Sequence, residues 1–318
     1  MSGRGILDGI DRFDSLFVSP RAIDVPLSCP GRVRAEADRG RRVLVLGLFE
    51  AAGASPGAKE AIGRLGATYL AAGLPDARER RRRGPLPLPE SERGPEDEET
   101  VVTAAHMLAE LGPRTEAVHI HAPLGLGPTV DYQIAYEASV RAFATGVGRN
   151  LFLFEERPEA FVPGAVHTRL AWLGARLPPA GVSAAPRVSL LRTLWRTSEP
   201  RRLREESGGL GAGLAHVSWA RQRWRAARRW KPLRAFGPRL QPLLHSADED
   251  TRQIAREIAC ALLAHDRKGR PRGGQRFNRR VDQATKSLGA VYHAERVWLF
   301  LPSGDGLHEI RHPLDSGD

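Results

Sequence analysis

The sequence predicts an α/β protein: a Rossmann-like three-layer α/β/α sandwich with a mostly parallel sheet and a C-terminal helical extension. Three observations predict it. Short apolar runs rich in Val, Leu, Ile and Phe alternate with helical patterns through the first half of the chain. Strand-helix-strand order of this kind requires right-handed crossovers, and so parallel pairing. The two chemically most distinctive segments also follow the first and the fourth apolar run. In a doubly wound sheet these strands lie side by side at the point where the strand order reverses, and a ligand crevice opens outside their carboxyl ends.

The elements follow in order. Buried strands are expected at 15–19 (SLFVS), 42–49 (RVLVLGLF), 67–74 (ATYLAAGL), 117–121 (AVHIH) and 150–154 (NLFLF). Helices are expected at 31–39, 57–65, 96–111 and 130–144. The third helix has Glu96, Asp97, Glu98 and Glu99 in its first turn, where the helix dipole favours negative charge, and stops at Gly112 and Pro113. Residues 78–95 (RERRRRGPLPLPESERGP) read as a flexible, charged, Pro-rich insertion. The pattern weakens after about residue 175, so residues 1–175 form the core. Residues 176–318 are an extension completing the same domain, with an amphipathic helix near 248–264 (Ile254, Ile258, Leu262) and a late strand at 296–301 (RVWLFL).

Composition narrows the class. Lys and Arg outnumber Asp and Glu 48 to 37, a formal charge of +11 that favours anionic partners without naming one. Two cysteines, Cys29 and Cys260, lie far apart in unlike contexts, which argues against a disulfide framework or a thiolate metal site. The N-terminal residues carry no apolar signal segment and no apolar run is long enough to span a bilayer, so the expected localisation is cytoplasmic, without integral membrane association.

Two segments carry the chemistry. Residues 19–31 read SPRAIDVPLSCPG and residues 122–132 read APLGLGPTVDY. The first resembles the opening motif of the PIG-L (LmbE-like) N-deacetylase family, Ser-Pro-His-X-Asp-Asp before a small-residue turn. The second resembles that family's Pro-Leu-Gly-X-Gly-X-His-Val-Asp-His. GLPD at 73–76 and FEERP at 154–158 resemble further family turns, and 294–299 (AERVWL) gives a weaker echo. The resemblance covers roughly residues 15–173, and its specificity lies in the order and spacing of the set.

The resemblance implies a zinc ion held by His, Asp and His, acidifying a water for attack on an acetamide carbonyl, with a second Asp as general base and a third His as oxyanion stabiliser. Position by position, little of this survives. The first ligand falls on Arg21, which has no lone pair to donate. The general base falls on Ile23 and the oxyanion histidine on Thr129, so no catalytic residue is expected. Asp24 remains as the second ligand, Asp131 remains between the two altered positions, and Tyr132 replaces the last ligand. One carboxylate does not hold zinc tightly, so no metal and no cofactor is expected. A guanidinium at Arg21 can pair with Asp24 and supply the positive charge the metal would have brought. The expected pocket is Arg21, Asp24, Asp76, Thr129, Asp131 and Tyr132, binding a small sugar-like or acidic ligand or simply closed by its own side chains.

His119 and His121, two apart on the fourth strand, face one side and offer an alternative metal site that Asp24 could complete. Cys29 sits near a helix start, where a thiol is either packed or activated. Residues 218–234 (SWARQRWRAARRWKPLR) form a Trp/Arg-rich helix in which Trp219, Arg221, Trp224, Arg225, Arg228 and Trp230 either pack and solvate or engage nucleic acid, an anionic membrane or a partner protein. The leading functional reading is a deacetylase-family protein that has lost zinc and de-N-acetylase activity, serving as a binding or regulatory protein. The alternatives are an active N-deacetylase with unusual metal ligation, and a basic binding module.

Overall fold

The computed structural model describes residues 13–50, 56–83, 93–111, 119–127 and 129–156, the strands 239–245 and 295–301, and positions 160, 166, 169, 170, 173, 248, 250, 251 and 253. Its elements are β1 (Ser15–Ser19), α1 (Asp24–Ser28), α2 (Pro30–Asp38), β2 (Val43–Gly47), α3 (Pro56–Arg64), β3 (Ala67–Ala71), α4 (Ala77–Arg83), α5 (Pro95–Leu111), β4 (His119–Pro123), α6 (Val130–Ala144), β5 (Asn150–Phe154), β6 (Arg239–His245) and β7 (Glu295–Leu301). Among the described residues the strands form one sheet in the order β3-β2-β1-β4-β5-β7-β6.

The first five strands are parallel, and β7 and β6 join antiparallel at one side. The register sets Ser15 level with Val43 and His119, and His119 level with Asn150, so the strands begin and end nearly in step. β1 and β4 are neighbours, and the topological switch point lies between them, as expected.

Side-chain alternation divides the strands between two cores. Leu16, Val18, Leu44, Leu46, Ile120, Ala122, Leu151 and Leu153 face α5 and α6, meeting Val101, Ala105, Leu108, Ile134 and Ala138. Phe17, Val43 and Val45 face the other way, onto Val25 and Val33 of α1 and α2 and Ile62 of α3. The result is the three-layer α/β/α arrangement that the alternation of elements predicted.

Several details differ from the sequence reading. Residues 78–83, expected as part of a flexible insertion, belong to α4, and Arg80 within it is buried. Charge dominates this helix, so no apolar period announces it; it is held through Arg80 instead. α1 is only five residues long and contains Pro26, too short for a periodic signal. β6 was not expected either, since Pro242 reads as a strand breaker; its place at the sheet edge tolerates the missing N–H. β4 runs on to Pro123, because buried Ala122 continues the inward alternation from Ile120. The Trp/Arg-rich stretch at 218–234 and most of the expected helix near 248–264 lie outside the described residues.

Candidate functional site

At the carboxyl end of β1 the chain turns through Pro20 and Arg21 into α1. The Arg21 backbone N–H donates to Asp24 Oδ2 at 3.3 Å, and the Arg21 guanidinium donates to the Tyr132 hydroxyl at 3.3 Å. These two contacts join the halves of the motif across 111 residues of sequence. Arg21 is exposed, whereas Asp24 and Tyr132 are buried. Burial raises the pKa of Asp24 above the ordinary carboxylate value, against the opposing pull of the Arg21 charge, its backbone N–H and a hydrogen bond from Tyr132. Tyr132 first, and Asp24 second, hold the guanidinium firmly protonated.

The structure adds one buried acid that the sequence reading missed. Glu50, just beyond the carboxyl end of β2, is buried and accepts the Ala22 N–H at 3.0 Å and the Tyr69 hydroxyl at 3.1 Å. Its charge bears on Asp24, so two acidic groups share this end of the sheet with Arg21. Two glycines accommodate the arrangement. A Cβ at Gly47 would stand 2.8 Å from Glu50 Oε2, and a Cβ at Gly127 would overlap the Tyr132 ring. A turn residue directly after a strand's carboxyl end was the available signal for Glu50.

The other expected pocket residues divide. Thr129 is the N-cap of α6, with extended backbone and no side-chain cap hydrogen bond. Ile23 packs in the core on the α1 side, and Cys29 is buried there too. Asp76 is exposed and caps α4, accepting the Glu79 N–H at 2.8 Å. Asp131 does not pair with Arg21. Its Oδ1 takes a 2.8 Å hydrogen bond from Arg80, and its Oδ2 takes the Ala77 N–H at 3.1 Å. Arg80 also donates to Asp97 at 2.8 Å and to the Pro75 carbonyl, and lies over the Phe49 ring. Asp131 therefore anchors the start of α6 to α4 and α5, and thereby positions Tyr132.

The second motif is clamped from below. Glu156 is buried and accepts the backbone N–H groups of Leu124, Gly125 and Leu126 at 3.1, 2.7 and 2.7 Å. Arg169 donates to the Leu124 carbonyl at 2.8 Å and stacks on Tyr136. The neighbouring Glu155 accepts from the Trp298 indole at 2.9 Å. Residues 155 and 156 thus hold the site loop and β7, respectively through Glu156 and Glu155.

A zinc hydrolase centre needs three protein donors around an open position. At this end of the sheet Asp24 is a buried carboxylate, Arg21 is a cation and the Tyr132 oxygen is engaged by it. The residues present here do not make a zinc set.

His119 and His121 are not near Asp24, contrary to the shared site entertained from the sequence. They belong to the amino end of the sheet, with Glu36 of α2. Glu36 accepts from Ser15 Oγ at 2.7 Å, and also pairs with Arg32, Arg39 and Arg41. Burial alone would raise the Glu36 carboxyl, but hydrogen bonds from His119, Ser15 and Arg41 and the Arg32 charge outweigh it and hold it well below the ordinary range. His121 is stacked between Phe17 and Phe152, with ring centroids at 4.1 and 4.9 Å. Burial, and then the Arg32 charge, push its pKa well below 6.5, so it is neutral.

With this geometry in place, known structures can be compared. The zinc-inhibited form of teicoplanin deacetylase Orf2 superimposes with a TM-score of 0.54 at 14% identity, over 92% of this chain and 99% of that one. The fold is that of the PIG-L (LmbE-like) deacetylases. A deacetylase complex from the teicoplanin biosynthesis pathway gives the same fold, with a TM-score of 0.53 at 14% identity and the same coverage. No protein-family model and no curated protein matches the chain. The deacetylase fold accounts for the architecture.

Proposed function

We propose that the switch point is a zinc-free binding pocket on a deacetylase scaffold, in which Arg21 supplies the positive charge and binds a small acidic or sugar-like ligand. The observation that carries this reading is Arg21 itself: its guanidinium is seated on the Tyr132 hydroxyl and its backbone N–H on Asp24, in the motif position that corresponds by resemblance to a family metal ligand. A guanidinium cannot polarise a bound water as zinc does, but it donates in a planar fork suited to a carboxylate. Ile23 offers no general base for amide hydrolysis, and Thr129 offers a neutral hydroxyl in place of an imidazole, which supports a non-catalytic role.

A second reading is an N-deacetylase with unusual metal ligation. The likeness to deacetylase structures favours it, as does Glu50, a buried carboxylate whose charge reaches Asp24. The two readings separate on one preparation. Metal analysis and an amide-hydrolysis assay on N-acetylated amino sugars are expected to give neither Asp24-dependent zinc nor turnover. Thermal-shift screening of amino sugars and sugar acids is expected to give stabilisation by an acidic compound that Arg21→Ala abolishes. Near-stoichiometric zinc that disappears in Asp24→Ala, together with turnover, overturns the proposal in favour of the second reading.

A further inference from the structure

The amino end of the sheet carries a group of side chains that the switch point does not use. One ligand atom each from Glu36, His119 and His121 lies within 4.8 Å of the other two. The elements that bring them together are α2 and β4: Glu36 is turned inward on the same side of α2 as Val33, and the strand alternation puts both histidines on the α2 side of β4. Two imidazoles and a carboxylate are a donor set that suits zinc and its neighbours among the divalent transition metals.

An independent observation singles this cluster out. His121 is fully buried, and among the described residues neither of its ring nitrogens has a hydrogen-bond partner. A buried imidazole without a partner forfeits the desolvation of both its polar atoms, and buried polar groups are normally satisfied. The rings of Phe17 and Phe152 cover its faces and cannot satisfy it, since hydrogen bonding and coordination act in the ring plane. A cation in contact with His119 and Glu36 would.

Arg41 now stands in that position. Its Nη1 bonds Glu36 Oε2 and lies 2.6 Å from His119 Nδ1, while His119 Nδ1 is 3.2 Å from Glu36 Oε2. The two oxygens of Glu36 are used differently. Oε1 takes Arg32 and Arg39, at 3.2 and 3.1 Å, whereas Oε2 takes Ser15 and Arg41. Replacing Arg41 with a cation on Oε2 leaves the other two ion pairs in place. The Arg41 side chain is 30% exposed, so it has water to swing into.

We propose that Glu36, His119 and His121 form a binding site for a zinc-class divalent cation at the amino end of the sheet, and that the Arg41 guanidinium closes the site until a metal displaces it. Bound metal would tie α2 to β4, satisfy His121 and free a guanidinium at the surface.

Cobalt(II) and zinc titrations of the metal-stripped full chain test this, read by cobalt absorption and calorimetry. One equivalent is expected to bind, and Arg41→Ala is expected to bind about tenfold more tightly, the usual scale for releasing a competing group. His121→Phe, which extends the aromatic stack and should keep the fold, is expected to abolish binding in both backgrounds; His119→Gln gives the same readout if melting shows that His121→Phe does not fold. Absence of binding in both the natural chain and Arg41→Ala overturns the proposal, and so does binding that survives loss of His121 or His119. Asp24→Asn is expected to leave the affinity unchanged. Loss of binding there would move the metal to the switch point, overturning this proposal and the zinc-free reading of that pocket together.

Discussion

At each end of the β1–β4 pair an arginine lies against a buried carboxylate, yet the two ends are built in opposite senses. At the carboxyl end the arginine is exposed, the carboxylate is pushed above its ordinary pKa by burial, and no histidine stands beside it among the described residues. At the amino end three arginines surround one carboxylate, its pKa is held below the ordinary range, and two histidines stand beside it. Acid is in excess at one end, where Glu50 joins Asp24, and base is in excess at the other. The lesson concerns what a guanidinium can replace. It can offset the charge of a buried carboxylate, but it does not satisfy an imidazole nitrogen in a closed aromatic sandwich such as that of His121.

The largest expected change breaks the comparison outright by moving histidines to the carboxyl end. Replacing Arg21→His, Ile23→Asp, Thr129→His and Tyr132→His together, in a His121→Phe background that removes the amino-end site, should bring near-stoichiometric zinc to that end, measured by metal analysis. Failure of a well-folded variant of this kind to bind zinc would show that the two motifs do not meet as described.

Next in size is Glu36→Ala. It leaves Arg32, Arg39 and Arg41 facing one another around a vacated site, and urea denaturation should show a loss of about 3 kcal/mol, the low edge for a broken buried ion pair because two of these arginines keep contact with water. Asp24→Asn at the other end should cost little or be stabilising at neutral pH, because the folded state already disfavours the charged form. Equal losses at the two sites would erase the contrast drawn above.

Acidity sharpens the same contrast with opposite signs. Glu36 has a folded pKa below its unfolded value, so its contribution is complete above the unfolded pKa, near 4, and is lost as pH falls further toward the folded value. Asp24 has a raised folded pKa, so the cost of holding it charged is relieved as pH falls from above that value toward about 4. In pH-dependent melts the gap between Asp24→Asn and the natural chain should therefore close on acidification. The gap for Glu36→Gln should stay constant down to about pH 4 and shrink only below it. The smallest expected effect is Tyr132→Phe, which removes one hydrogen bond each to Arg21 and Asp24, about 1 kcal/mol in total stability.

Much of the fold was legible because burial on both faces makes parallel strands continuous apolar runs; β1, β5 and α6 have the bounds their sequences predict. The switch-point pair of Arg21 and Tyr132 was legible too, since both follow strand ends that the topology must bring together. Asp131 was misplaced because a sequence does not show which of two nearby cations a carboxylate will choose, and Arg80 looked like one of a run of solvated arginines. Glu36 was invisible for a similar reason: in RVRAEAD it reads as a surface acid, and its burial depends on Ser15, Arg41 and His119, all from other elements. Long-range electrostatics, not secondary structure, separates what could be read from what could not.

Glu295 on β7 accepts the backbone N–H groups of Gly31 and Arg32 at 2.7 and 2.9 Å, closing the first turn of α2 from 264 residues away. During synthesis, α2 emerges long before the carboxylate that caps it. The segment carrying Arg32 and Glu36 must wait with those donors turned to water, and becomes part of the native sheet packing only once β7 has been made. A mutation at Glu295 should therefore be felt most in the yield of newly made protein, as an assembly defect at α2.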